Sequence, residues 1–487
     1  MKCRVLSFEL FDTTALAMSP LGRVLVCVLG WAHAVRSQRC NTLPQNEYAQ
    51  ASASSQGFDS AKLQDALNYA SVMGSSSIKV FRNGCLVGSG LRDPLLERVP
   101  ELNAGQTKTV VALLAGIVAG RGWVDIDAPI DRYVEPGLGD AAHRNRTMRN
   151  FMNLVAGQRV NHVTGVNLFA DISRYREYFS TELLRPAGEY YEFDEITPSV
   201  VTHILECQVQ INTGTNVDFQ DFAQTELFNK LGIPRSAYFW QKDRAGDTTG
   251  YSGLWLRPLE YGRLGLLMLH EGAFGGRQIV PADFTRQMRQ GTTANCGFGV
   301  YAWLNSCKPG EQQVNTDYLT RRLYPGEAWV QSAPSDMFYS LGLGTNTFVI
   351  PSLDMVVSRA GYQELDTIPG ALNLDLHGAF PGNAGGPGEH EFFRRLMAAV
   401  TDMPAEVRAT IQNPGPYNRP ADNNVDTQPF LVPLDAAVGS YLGVGPHAAE
   451  GCNALRCNGA DNDGLLYLLQ IPRTGLGLIG LERRPSG

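Results

Sequence analysis

Two apolar runs, SIKVFR at 77–82 and CLVGSG at 85–90, are separated only by Asn83-Gly84. Asn and Gly both accept positive φ, so this spacing predicts a two-residue turn and an antiparallel hairpin. A lone hairpin is not stable in water, so it needs partner strands. The other segments of strand character, 297–304, 338–350 and 353–359, lie far downstream. Helical spacing fills most of the interval. Val110, Leu113, Leu114 and Ile117 share one side of a helix over 104–120, and residues 130–290 read as mostly helical, with turn signals at Gly157, Gly188, Gly232 and Gly275-Gly276. A helix over 58–73 precedes the hairpin and another over 389–402 follows the last strand. This order predicts an α/β fold, an antiparallel sheet flanked by helices with an inserted all-helical region, rather than a βαβ repeat.

Composition narrows the function classes. The 487 residues are 44% hydrophobic and 18% charged, with 41 Lys+Arg against 48 Asp+Glu and a net charge of −7. Nucleic-acid binding needs clustered basic residues, so no nucleic-acid partner is expected. No apolar run approaches the roughly 20 residues that span a bilayer. Residues 24–34, VLVCVLGWAHA, follow Arg23 and end in Ala-His-Ala, the pattern of a secretory signal peptide. The expected organisation is a signal peptide over 1–34 with Met18 as a candidate start, and a flexible lead-in over 35–57. The main domain spans 58–402, followed by a linker over 403–433 and a C-terminal extension over 434–487 with no assigned role. Nine cysteines fit an exported chain, with Cys452–Cys457 and Cys296–Cys307 as candidate disulfides and free thiols as the alternative. Asn145-Arg146-Thr147 is a glycosylation sequon. No zinc spacing and no phosphate-binding glycine loop is present, so neither a metal nor a cofactor is expected.

Three segments stand out for chemistry. Asn103-Ala-Gly105-Gln-Thr-Lys108-Thr109 opens the apolar helix. Arg185-Pro-Ala-Gly188-Glu-Tyr-Tyr191-Glu-Phe193-Asp-Glu195 falls in the helical middle. Asp336-Met-Phe-Tyr-Ser340-Leu-Gly342-Leu-Gly344 precedes an apolar run. Between them lie Leu231-Gly-Ile-Pro234, Gly253-Leu-Trp-Leu-Arg-Pro258 and Gly297-Phe-Gly-Val-Tyr-Ala-Trp303. In this order the segments resemble the β-lactamase-related serine hydrolases: class C β-lactamases, their esterase relatives, 6-aminohexanoate-dimer hydrolases and lovastatin-type acyltransferases. The resemblance covers about residues 58–402. It implies a β-lactamase-like fold with the site in a cleft near Gly105, Lys108, Phe193 and Ser340.

The family's Ser-x-x-Lys motif puts both side chains on one helical face, so the lysine can take the serine's proton. Here Lys108 is present, but the serine position is Gly105, which has no side chain. The family's Tyr-x-Asn falls on Phe193 and Glu195, and its third motif on Ser340-Leu341-Gly342. The resemblance therefore implies a family member stripped of its nucleophile and its phenol. Tyr190 or Tyr191 is weighed as a stand-in for that phenol against a surface or packing role, and Tyr191, Glu195, Ser340 and Gly342 are taken as residues of the cleft. Ser76-Ser77-Ile78-Lys79 also spells the motif, but on a strand residues i and i+3 face opposite sides. The eight histidines suggest no triad. Three readings follow: a secreted pseudo-hydrolase that binds a small molecule; an isomerase or cyclase of secondary metabolism with Lys108 as base beside a backbone oxyanion hole; or an esterase, amidase or acyltransferase with an unrecognised nucleophile. Oligomeric state is left open.

Overall fold

The computed structural model describes residues 39–159, 173–308, 310–316, 321–342, 344–361, 387–418 and 425–426. The expected signal peptide, the C-terminal extension and the candidate bridge Cys452–Cys457 lie outside the described residues.

In chain order the elements that matter are helix α1 (Ser60–Val72), strands β1 (Ser77–Arg82), β2 (Cys85–Ser89) and β3 (Glu101–Leu102), helix α2 (Gln106–Gly120), and helix α3 (Thr197–Thr213). Strands β4 (Tyr238–Trp240) and β5 (Leu254–Leu256), helix α4 (Pro258–Leu269), and strands β6 (Trp303–Leu304), β7 (Phe338–Leu341), β8 (Asn346–Ile350) and β9 (Met355–Ala360) follow, and helix α5 (Pro387–Ala399) closes the series. The central sheet has the order β2-β1-β9-β8-β7-β6 and every pairing is antiparallel. The hairpin expected at Asn83-Gly84 forms, and Asn83 takes φ +52° and Gly84 φ +74°. The run 338–350 is two strands rather than one: β7 ends at Leu341, β8 begins at Asn346, and the Gly342 N–H donates to the Thr345 carbonyl. Only Trp303–Leu304 of the run 297–304 pairs into the sheet.

Alternation along the strands decides which helix covers which face. Phe348 meets Phe393 of α5 edge-on at 4.9 Å between ring centroids. Its neighbour Thr347 points the other way, toward Gln106 of α2 and Gly265 of α4. The sheet is thus sandwiched, with α1 and α5 on one side and α4 and α2 on the other. Helix α2 is buried at every position from Gln106 to Val118, so it needs no polar face, and its apolar sequence reflects that.

The stretch expected as a flexible lead-in differs from that expectation from residue 39 onward. Tyr48 is buried, stacks edge-on against Phe81 at 4.8 Å and donates its hydroxyl to the Leu259 carbonyl. A disulfide, Cys40–Cys85, fastens the same stretch to β2. Its two cysteines are 45 residues apart, and no local spacing announces the pair. The start of the expected linker is also tied down. His390 Nε2 lies 2.9 Å from the Gly415 carbonyl, and the Asn413 N–H donates to the Gln331 carbonyl. The Cys296–Cys307 bridge is present as expected.

Candidate functional site

Helix α2 begins where β3 ends. Ala104 takes φ +43°, a strained left-handed turn for a residue with a Cβ, and Gly105 then opens the helix. Lys108, one turn on, is 3% exposed. Its Nζ donates to the Tyr251 carbonyl at 3.3 Å and sits 4.3 Å from the centre of the Phe193 ring. The aromatic face of Phe193 thus covers the ammonium. Burial lowers the Lys108 pKa, and the charges of Glu195 and Asp194 oppose that shift. Asp194 is itself committed. One of its oxygens accepts the Ile196 and Thr197 N–H groups at 2.8 and 2.7 Å, and the other accepts the Thr197 hydroxyl at 2.7 Å. It thereby fixes the start of α3.

Tyr191, taken from the sequence as a cleft residue, is fully buried, with its ring 5.2 Å from Phe298 and 6.4 Å from Trp303. Phe193 lies 6.3 Å from Trp303 in a stacked arrangement. Glu195 is 9% exposed and acts on Lys108 through its charge. Ser340 faces α2 from β7. Its hydroxyl has no hydrogen-bond partner among the described residues, and it borders a void of about 10 Å³ with Gln106, Thr109 and Thr347. That space matches one water molecule, not a substrate.

The backbone between helix and sheet decides what this site can do. A Cβ at position 105 would lie 2.7 Å from the Leu341 carbonyl oxygen, closer than real Cβ contacts come. At Gly342 a Cβ would lie 2.1 Å from the Asn103 carbonyl oxygen. The two glycines let β7 and the entry to α2 approach backbone to backbone. The Gly342 N–H is spent on the Thr345 carbonyl at 2.7 Å. An oxyanion hole needs N–H donors converging on open space. Here a carbonyl, which is an acceptor, faces the position from which a nucleophile would project. The donor expected just after Gly342, at position 343, lies outside the described residues. The glycine at 105 is legible in the sequence, but the close approach of the Leu341 carbonyl is not.

A candidate β-lactamase from Bacteroides dorei aligns with a TM-score of 0.51 and 16% identity over 71% of this chain and 100% of its own. A candidate 6-aminohexanoate-dimer hydrolase from Bacillus anthracis aligns with a TM-score of 0.50 and 14% identity, over 66% of this chain and 84% of its own. The chain has the β-lactamase fold. No protein-family model and no curated relative matches the sequence. At such identities the likeness carries architecture and not activity.

Away from the cleft entry, the described residues form a pocket of about 460 Å³. It is lined by Ser76, Arg92, Leu96, Glu101, Leu102 and Trp255, among others. It opens at the same end of the sheet as Gly105, since β3 runs from this pocket directly into Asn103. Burial raises the Glu101 pKa against the opposing hydrogen bond from Ser76. No motif marked this pocket, because its residues come from five separate stretches of the chain.

Proposed function

We propose that this protein is a pseudo-hydrolase on the β-lactamase fold, which binds a small amphipathic molecule and performs no acyl transfer. The carrying observation is the Leu341 carbonyl 2.7 Å from where a Cβ at position 105 would stand. Loss of the nucleophile alone leaves a cleft that one substitution refills. Loss combined with strand closure does not. The reading with Lys108 as a base draws on its lowered pKa. The same lysine is 3% exposed beneath Phe193, however, and a base must reach the proton it removes. Binding is assigned instead to the pocket beside Trp255, whose volume lies in the range of small-molecule sites.

Export fits this reading. Two disulfides occur among the described residues, and none of their helices is long and apolar enough to cross a membrane. Asn145, the sequon residue, is exposed just past a short helix, where a glycan has room. The test is a fluorophosphonate probe read by intact mass. Wild type is expected to take no adduct. An adduct on any serine or threonine returns the esterase reading. Leucine amide tests the pocket, with its ammonium toward Glu101 and its side chain against Trp255. Saturable heat of binding in wild type that is lost in Trp255→Ala supports the assignment, and equal heats in both sink it.

A further inference from the structure

Helix α3 carries a second cluster, away from the three segments singled out for chemistry in the sequence. His203 and Cys207 are four residues apart on one helical face, and the Cys207 Sγ lies 3.5 Å from His203 Nε2. The other ring nitrogen, Nδ1, lies 2.8 Å from Asp247 Oδ1. Asp247 is held in place by its own loop, where its N–H donates to Asp243 Oδ1 at 3.0 Å and its carbonyl accepts the Asp243 N–H at 2.8 Å. The His203 ring stacks on Tyr175 at 3.6 Å and 17°, and the Tyr175 hydroxyl donates to Glu135. Cys207 is half-buried and outside any disulfide. The side chains of His203 and Asp247 are 19% and 17% exposed, so the cluster opens to solvent.

We propose that Cys207, His203 and Asp247 form a reactive thiol site that exchanges with small disulfides, cationic ones foremost. A thiolate beside a fixed imidazolium is the arrangement that activates cysteine. Burial alone would lower the His203 pKa, but its hydrogen bonds to Asp247 and Cys207 outweigh that and hold it up to about 10. The imidazolium therefore persists at neutral pH. Acyl transfer is not the chemistry. Cys207 sits in mid-helix, where backbone N–H groups are spent within the helix and none faces an oxyanion. Metal binding is not indicated, since no group of three or more His, Cys, Asp or Glu side chains among the described residues is placed to hold an ion. Disulfide exchange needs only the thiolate and access. The Cys207 proton leaves to solvent, and the thiolate attacks one sulfur of the disulfide. A Cys207–S–S–R bond forms, the R–S–S–R bond breaks, and RS⁻ departs and takes up a proton.

The charge around the cluster sets the preference. Glu135, Glu206, Asp218 and Asp247 all act on this group of residues, and the opposing cations are Lys242, paired with Asp218, and Arg176, which acts on Glu135. Burial lifts Glu206 to about 7, with Lys242 opposing, so it is partly charged at neutral pH. An anionic disulfide meets these carboxylates, whereas a cationic one is drawn in. His203 touches the reacting sulfur. Asp247 is a positioning residue that acts through it.

The experiment exposes the full-length protein to cystamine and, separately, to oxidised glutathione, and follows the mixed disulfide on the Cys207 peptide by mass. Cystamine is expected to react about tenfold faster at pH 7, with the ratio falling as salt screens the carboxylates. His203→Asn is expected to slow the reaction about tenfold. Asp247→Asn should slow it too and displace the pH–rate profile, with partial rescue in Asp247→Glu, a readout that simple packing would not move. Equal rates with both reagents would overturn the charge preference. Equal rates in wild type, His203→Asn and Asp247→Asn would reduce Cys207 to an ordinary surface thiol, as would finding it bridged within the chain. Circular dichroism of each variant separates lost folding from lost reactivity. None of these outcomes depends on the cleft at Gly105.

Discussion

The entry to α2 and the exposed face of α3 are opposites. At Gly105 there is no side chain, and the Leu341 carbonyl oxygen stands 2.7 Å from where a Cβ would lie. At Cys207 a nucleophile, an imidazole and a carboxylate are in contact, at a place where motif order predicts nothing. The two helices differ in burial as well. Helix α2 is covered at every position from 106 to 118, while α3 leaves Ile211 69% exposed. At the first site the helix from Gln106 onward is buried, Gly105, Phe193 and Leu341 are only partly covered, and the Leu341 carbonyl fills the space beside position 105. The second can be reached from solvent, and its side chains are ordered by one another.

The largest effect expected from this contrast is on stability. Leu114→Ala removes a fully buried side chain from the middle of α2 and should cost about 2–5 kcal/mol. Ile211→Ala on α3 should change stability by less than about 0.5 kcal/mol. Urea unfolding of both variants measures the difference, and comparable losses would mean that α3 is packed as tightly as α2.

Next in size is Gly105→Ser. In a cleft that had lost only its nucleophile, the serine would fit and, paired with Phe193→Tyr, would take up a fluorophosphonate. Against the Leu341 carbonyl it is an overpacking change that should cost about 1–3 kcal/mol. The double variant should melt lower than wild type and remain unlabelled. A labelled double variant of undiminished melting temperature would show that the strand yields, and would break the claim that the cleft is shut.

What the sequence could reveal follows the same division. The hairpin, helices α1, α2 and α5, and the Cys296–Cys307 bridge were all legible, since each depends on local spacing. The fold was legible from motif order even though Gly105 and Phe193 break the motifs, because spacers such as Gly253–Pro258 persist. The Cys40–Cys85 bridge, the pocket beside Trp255 and the link from His203 to Asp247 were not. Each joins residues brought together only by tertiary structure. His203 and Cys207 are four apart on a predicted helix, so half of that cluster was visible in the spacing. Asp247, forty-four residues on, carries the other half. The closure of β7 onto Gly105 left no sequence signal beyond the glycines themselves.

The smallest effect is the most specific to the exposed cluster. His203 is raised from 6.5 to about 10 in the folded chain, where its hydrogen bonds to Asp247 and Cys207 overcome the opposing effect of burial. Between those two values the folded state holds a proton that the unfolded state has released, so stability falls as pH rises across this window. The contribution is complete below pH 6.5 and gone above about 10. For an ion pair partly open to solvent it should amount to about 1 kcal/mol. Unfolding of wild type and His203→Asn should therefore differ most at pH 6 and converge toward pH 10. Repeating the comparison in a Cys207→Ser background removes the sulfur as a second partner, which should draw the upper edge of the window to lower pH while Asp247 preserves the sign. A difference that does not vary with pH would mean that His203 contributes by stacking on Tyr175 alone, and the contrast with the close backbone packing at Gly105 would then lose its electrostatic half.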